Sequence, residues 1–316
     1  AAGALTAGLV GRPLTVASVE PKPYRRRPAA PFITSTLQQE AGRKLRLSAS
    51  LAMHAAQGLY QKGYITYMRT DSTTLSDTAV AAARAVVRER FGADHLPDAP
   101  RTYANKVRNA QEAHEAIRPA GDRFRHPDEV AGEVSRSEAR VYEMIWQRTV
   151  ASQMTDAVGE TVRITLTADV GPGGGDIASA VTFSASGTVI SHQGFRRVYR
   201  EDMDEPEDGD GERVLPALPV GATVDVVEVL PEGHMTQPPA RFTEASLVKR
   251  MEEFGVGRPS TYASIMETIQ RNYVFKKGSA LVPTLSAFAV TKLLELHFPR
   301  LVDYDFTAAM ELDLDQ

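Results

Sequence analysis

Gly63-Tyr64-Ile65-Thr66-Tyr67-Met68-Arg69-Thr70-Asp71-Ser72 gathers two phenols, one guanidinium and three hydroxyls into ten residues between two helical patterns. Upstream, Thr36 to Lys62 reads as a helix, with Leu51, Ala55 and Leu59 at a spacing of four. Ser48 or Ser50 caps its start, and Gly63 closes it as a left-handed cap. Downstream, Ser76 caps a second helix through Ala79, Ala83, Val86 and Val87, closed at Gly92. The stretch between them reads as a short strand entering a polar loop. A phenol with a pKa near ~10 is a poor nucleophile at neutral pH unless a fixed cation stabilises the phenolate and the phosphoryl transition state. Arg69, two residues beyond Tyr67, is such a cation, because its planar fork matches phosphate oxygens at two points. On spacing alone Tyr64 and Tyr67 equally fit strand aromatics, and Arg69 a surface charge.

Farther out the period changes. Leu14 to Glu20 alternates as a strand that Pro21-Lys22-Pro23 should end. Thr161 to Ala168 and Ala180 to Ala185 alternate on either side of Gly171-Pro172-Gly173-Gly174-Gly175, a hairpin loop. Gly194 to Arg200 and Thr223 to Val229 read as further strands around the acidic linker Glu201 to Arg213. The first strand joins the later ones, so the tyrosine-bearing helices become an insertion in one mostly antiparallel sheet domain. Within the insertion, Asn109 to Ile117 is helical up to Pro119, and Ser137 to Met154 carries the only tryptophan, Trp146. From Thr243, a helix with Leu247, Val248, Met251 and Phe254 on one face ends at Gly255-Val256-Gly257. A second helix, capped by Ser260 or Thr261, turns Ile265, Met266 and Ile269 inward, and Tyr273 to Lys277 with Ala280 to Val282 forms a ribbon. That is the order of a winged helix-turn-helix, an order also found in domains that bind nothing. The expected class is a multidomain α+β protein: 1–34 with 153–238 as the β domain, 35–152 as the inserted helical domain, and 239–316 as a second winged-helix-like segment.

The 316 residues are 42% hydrophobic, enough for a real core in two or three domains. With no cysteine there is no disulfide, thiolate metal site or thiol nucleophile. No apolar run approaches the ~20 residues of a membrane span, and Ala1 to Val10 lacks a basic leader, so a cytoplasmic location is expected. The chain begins without methionine and stops in the charged run Glu311 to Gln316, as expected of a piece of a longer protein. A net charge of -4 carries no global nucleic-acid signature. Locally, however, Lys22, Arg25, Arg26 and Arg27, then Arg43, Lys44 and Arg46, form basic clusters that fit either a polyanion or a solvated face. Asp208-Gly209-Asp210-Gly211-Glu212 has a magnesium-binding spacing, but it lies in a Gly- and acid-rich linker with nothing to fix the carboxylates, so no metal site is assigned. Gly173-Gly174-Gly175 lacks the lysine of a P-loop, which leaves nucleotide hydrolysis without support. In Asn109 to Pro119, His114 and Arg118 stand four apart and on a helix would face one anion; His114 equally suits Glu112 or Glu115 as a partner.

Tyr64 to Ser72 resembles the active-site segment of bacterial type IA DNA topoisomerases. Glu112 to Pro119 and Arg258-Pro259-Ser260-Thr261-Tyr262 resemble two further motifs of that family, in the family's order. The likeness implies a toroidal gate in which Tyr67 attacks a backbone phosphorus of single-stranded or underwound DNA, forming a 5′-phosphotyrosine link. Arg69 would stabilise the phosphate, and His114 and Arg118 would meet a neighbouring one. Gln57, Tyr60, Thr66, Thr70, Arg258, Ser260, Thr261 and Tyr262 would line the DNA path. The chain departs from the family at Gly58, where arginine is usual, and at Gln61, where glutamate is usual. Thr268 to Val274 is one residue shorter than the family's pattern. The Toprim domain, which supplies the family's magnesium site, and the carboxy-terminal modules have no counterpart in the sequence, so magnesium is expected in the complete enzyme and no metal in this portion. The resemblance further implies a nucleoid-associated monomer that relaxes negatively supercoiled DNA without a nucleotide. The alternative is a winged-helix module that binds single-stranded DNA without chemistry.

Overall fold

The computed structural model describes residues 6, 8–9, 11–103, 115–170, 180–200 and 215–314. The chain is α+β and divides into two compact units, both discontinuous in sequence. The first comprises Ala1–Arg26, Asp156–Gly194 and Glu205–Pro239. Its sheet has strands β1 (Leu14–Arg26), β2 (Ala157–Asp169), β3 (Ala180–His192) and β4 (Thr223–Val224), in the order β3-β2-β1-β4 with every neighbour antiparallel. One face carries Val16, Leu166, Ile164 and Val162, of which Val16 and Ile164 are buried; the other is rich in hydroxyls and charge.

Three expectations for this sheet need correcting. β1 continues through Pro21 and Pro23, which lie opposite Val162 and Glu160 of β2. A strand tolerates proline where the missing N–H points to an open edge. β4 pairs with β1 only at Leu14 and Thr15, and prolines two apart direct their missing donors to the same side. The strand expected at Thr223 to Val229 shrinks to Thr223–Val224. Gly194 to Arg200 is no strand either: Gly194 has φ 50° and opens a 3₁₀ turn, Gly194–Arg197. Phe195 and Tyr199, both buried, are four apart, and the Tyr199 amide donates back to the Phe195 carbonyl (3.0 Å). The Gly171 to Gly175 loop, Asp208 to Glu212 and His114 lie outside the described residues.

The second unit comprises Arg27–Thr155, Phe195–Asp204 and Ala240–Gln316. It begins with α1 (Thr34–Glu40), a π turn (Ala41–Leu45) and α2 (Ala49–Gln61). The single helix expected over Thr36 to Lys62 is therefore broken. Arg46 takes φ 58°, and Ser48 starts α2 afresh by accepting from the Leu51 amide. Ala52, Ala55, Ala56 and Leu59 face inward, and Leu51, expected on the apolar face, is 58% exposed. α3 (Asp77–Phe91), α4 (Pro127–Ala131) and α5 (Arg136–Ser152) follow. Ser76 caps α3, and a capping box of Ser135 and Glu138 starts α5. α5 buries Val141, Tyr142, Ile145, Trp146 and Val150 and packs against α2 and α3. Glu115 to Ile117 is extended rather than helical, with Ile117 bridging Phe32.

The same unit contains α6 (Glu244–Phe254), α7 (Tyr262–Asn272), the ribbon β5 (Val274–Lys277) and β6 (Ala280–Pro283), then α8 (Leu285–His297) and α9 (Tyr304–Leu314). The helix–turn–helix–ribbon order is the expected one. Gly255 and Gly257, at φ 73° and 84°, make the turn between α6 and α7. Val248, Met251, Tyr262 and Met266 share a core with Ala49 of α2, and α6 packs on α1. Segments 35–152 and 239–316, read separately from sequence, thus fall in one unit.

Candidate active site

α2 ends in a Schellman motif. Gly63 takes φ 79°, its amide donates to the Tyr60 carbonyl (2.9 Å), and the Tyr64 amide donates to the Leu59 carbonyl (2.9 Å). The chain leaves extended but without a ladder, since Ile65 makes only an isolated bridge to Pro119. The expected short strand is therefore absent. From Tyr67 to Thr70 the side chains alternate, with Met68 and Thr70 buried and Tyr67 and Arg69 outward; Ile65, which shares the parity of Tyr67, is buried, so the alternation does not reach back to the bridge. Tyr67 is 40% exposed, with its ring edge-on to Tyr60 at 5.2 Å between centroids. Among the described residues the Tyr67 hydroxyl makes no hydrogen bond and Arg69 no ion pair, so both groups are free for a ligand. Gln57, one turn before Tyr60 on α2, is exposed as well.

What holds this segment is a set of buried hydroxyls. Thr34, fully buried, donates to the Met68 carbonyl (2.8 Å) and accepts from the Thr70 amide (2.9 Å). The Thr34 amide donates to the Thr70 carbonyl (2.9 Å). The Thr66 hydroxyl donates to the Ala116 carbonyl (2.7 Å) and accepts from the Arg118 amide (3.0 Å). Thr70 accepts from the Ser72 amide (3.1 Å). Arg118, 8% exposed, donates to the Pro119 and Gly121 carbonyls and to Glu115 (2.9, 3.1 and 2.8 Å). Burial raises the Glu115 pKa, but hydrogen bonds from Ser76 and Arg118 outweigh it and hold the carboxyl below its ordinary value. Thr66, Thr70 and Arg118, expected along the DNA path, therefore spend these polar groups on the fold and position Tyr67 and Arg69.

Tyr64 is the other phenol in the stretch, and it is committed. Its hydroxyl donates to Glu133, which also receives the Arg125 guanidinium. The Glu133 hydrogen bond pushes the Tyr64 pKa up, while Arg125, then Tyr64, pulls the Glu133 carboxyl down to about 2. At Gly58 an added Cβ would stand 2.2 Å from Oε1 of Glu138, whose carboxylate Lys62 grips with both oxygens at 2.8 Å. The space beside Gly58 is thus taken by a side chain from α5.

The second cluster lies at the α6–α7 turn. The Arg258 amide donates to the Thr261 hydroxyl (2.8 Å), and its guanidinium donates to the Gly255 and Gly257 carbonyls (3.1 and 2.9 Å) and to Glu311 (3.0 Å). Glu311 also accepts from the Gly257 amide (2.7 Å). Ser260 is exposed and Thr261 half-buried, but Tyr262 is a core residue whose phenol is pushed above its ordinary range chiefly by burial. Sequence reasoning missed Thr34 and Glu311, and offered Glu115 as a partner of His114 where the structure pairs it with Arg118. Only the hydroxyl run Thr34-Ser35-Thr36 beside Phe32 carried any signal of a built interior. Among the described residues, no group of three or more His, Asp or Glu side chains is arranged to hold a metal ion.

Fold and site define a class: an α+β protein that presents a free phenol beside a guanidinium and carries a helix–turn–helix with a ribbon. The chain belongs to the DNA topoisomerase family of bacteria, whose family model matches residues 2–316. It is 59% identical over 322 residues to DNA topoisomerase 1 of Mycobacterium tuberculosis (strain H37Rv), covering 100% of this chain and 34% of that protein. It is 58% identical over 318 residues to DNA topoisomerase 1 of Streptomyces coelicolor, covering 100% of this chain and 33% of that protein. Full-length topoisomerase I of Thermotoga maritima superposes with a TM-score of 0.80 at 35% identity, over 100% of this chain and 50% of that one. The chain thus spans about a third of the length of the curated relatives it matches.

Proposed function

We propose that this chain supplies the tyrosine and much of the DNA grip of a type IA DNA topoisomerase. The carrying observation is the outward pair, which among the described residues leaves the Tyr67 hydroxyl unbonded and Arg69 without an ion pair, on a segment pinned from below by Thr34, Thr66 and Thr70. As the bond from Tyr67 Oη to phosphorus forms, the phenol proton leaves to solvent. The bond from phosphorus to the 3′-oxygen breaks, and that oxygen takes up a proton. Arg69 neutralises charge building on the phosphoryl oxygens. The 5′-phosphotyrosine link preserves the bond energy, so attack by the 3′-hydroxyl reseals the strand. Gln57, Tyr60, Ser260 and Thr261 contact the single strand, His114 meets a neighbouring phosphate, and Arg258 shapes the turn that presents Ser260. Cutting one strand, opening a toroidal gate and passing the other through would relax negatively supercoiled DNA, with the protein acting as a nucleoid-associated cytoplasmic monomer. We read 1–34 with 153–238 as the gate's β domain and the rest as the tyrosine and DNA-binding segments. The described residues supply no donor set for the family's magnesium.

The test mixes the chain with labelled single-stranded DNA, magnesium and a separately supplied Toprim domain, then looks for an adduct that survives denaturation. Wild type should form it and Tyr67→Phe should not; an adduct in the variant removes Tyr67 from the mechanism. Arg69→Ala should slow cleavage far more than it weakens DNA binding, and equal losses would reduce Arg69 to a phosphate anchor.

A further inference from the structure

The basic cluster at Lys22 to Arg27 has no part in the site above, and the sheet of the first unit separates its members. Side chains alternate along a strand, and after the register shift between Val16 and Ser18 the even-numbered residues of β1 share one face. Lys22 and Arg26 stand on that face. Arg25 stands on the other and pairs with Asp156. β2 adds Arg163, opposite Glu20, and Thr161, opposite Lys22; β3 adds Ser186, opposite Arg163. Between Ser18 and Arg26 this face therefore presents three cations and a field of hydroxyls against one carboxylate, Glu20. The reverse face over the same span presents Val19, Pro21, Val162 and Ile164, with Arg25 and Glu160 toward its far end. Lys22 and Arg163 are exposed, and neither makes an ion pair among the described residues.

The geometry points to this face as a docking surface for the phosphate backbone of duplex DNA, separate from the strand at Tyr67. It rests on the reading of DNA as the substrate. Charge complementarity selects a polyanion. The kind of polyanion follows from what the face lacks. Single strands bind through aromatic platforms on which bases stack, and the only ring on this face between Ser18 and Arg26 is the half-buried Tyr24. Cations and hydroxyls on a sheet face meet phosphates and read no bases. Lys22 and Arg26, four residues apart on one strand, are separated by about 13 Å, wider than a single phosphate group.

The experiment measures anisotropy of a labelled random-sequence duplex and a length-matched single strand with the 316-residue chain across a salt series, alongside the adduct assay. Lys22→Ala with Arg163→Ala should lower the magnitude of the duplex salt slope by about two and leave single-strand affinity and adduct yield unchanged. Glu20→Lys, which adds a cation to the same face, should raise it by about one. An unchanged duplex slope in both variants, or an equal loss for the single strand, overturns this inference and leaves the tyrosine reading intact. If wild type binds neither DNA and forms no adduct, the functional reading falls and takes this one with it.

Discussion

Thr34→Val tests whether Tyr67 is held by buried hydroxyl chemistry or by packing alone. Valine matches threonine in shape, so the change deletes one oxygen from a side chain with no exposed surface. That oxygen serves the Met68 carbonyl at 2.8 Å and the Thr70 amide at 2.9 Å. The Thr70 carbonyl keeps the Thr34 backbone amide, also at 2.9 Å, so two backbone groups lose a partner rather than three. A buried group left unsatisfied costs roughly 1–3 kcal/mol, and with partial relaxation the sum should fall near about 3 kcal/mol. Trp146, the only tryptophan, lies in the same unit as Thr34, so its fluorescence through a urea titration reports the right transition. Thr34→Ser is the control: it keeps the hydroxyl, loses a methyl, and should cost roughly 1 kcal/mol. The two carbonyl and amide partners flank Tyr67 and Arg69, so adduct formation by Thr34→Val should also slow by about tenfold or more where the variant is still folded. A loss below about 1 kcal/mol for valine, or serine and valine losing equally, would refute the clamp.

Gly159→Ala should disrupt the β2–β3 pairing by about 1–3 kcal/mol, because the new Cβ would meet the Val189 carbonyl oxygen at 2.1 Å and backbone cannot yield as a side chain does. The check is loss of protection from amide exchange in β3 with α5 unaffected. Burial raises the Glu244 pKa, but Lys276, the Ala49 amide and Gln270 together hold it below the ordinary 4.5. Its contribution is thus present above 4.5 and lost as pH falls through the lowered folded value. Glu244→Gln should be less stable than wild type at neutral pH, with the gap closing in acid; a gap constant with pH would deny the linkage. Burial raises Glu252, so its carboxylate is disfavoured in the folded state and that cost grows as pH rises through the folded value. Glu252→Gln should therefore be more stable than wild type at neutral pH and lose the advantage in acid, measured by the same titration.

How much of this could be read from residues alone depends on the range of the interactions involved. Caps are local: Ser76 and Gly63 were legible because the partner of each lies within four residues. Alternation puts Tyr67 and Arg69 on one side, but it would put Ile65 there too, and Ile65 is buried at its bridge to Pro119, so the outward side is chosen by tertiary contacts. Local rules misled wherever tertiary surroundings choose between two permitted outcomes. Pro21 and Pro23 end a strand only if both of its edges are paired, and the short β4 leaves one open. Leu51 lies on an apolar face only if something packs against that side, and α5 packs against the alanine side instead. Gly194 to Arg200 satisfies a period of two and a spacing of four at once, and burial of Phe195 with Tyr199 selects the turn. Roles at the site divide in the same way. Thr66 and Arg258 have the chemistry of DNA contacts, but polar atoms bind what reaches them first, and the carbonyl of Ala116 and the carboxylate of Glu311 come from 50 and 53 residues away. Residues that position a nucleophile must be buried against distant parts of the chain to be rigid. They are therefore the part of an active site that pattern within one segment does not reveal.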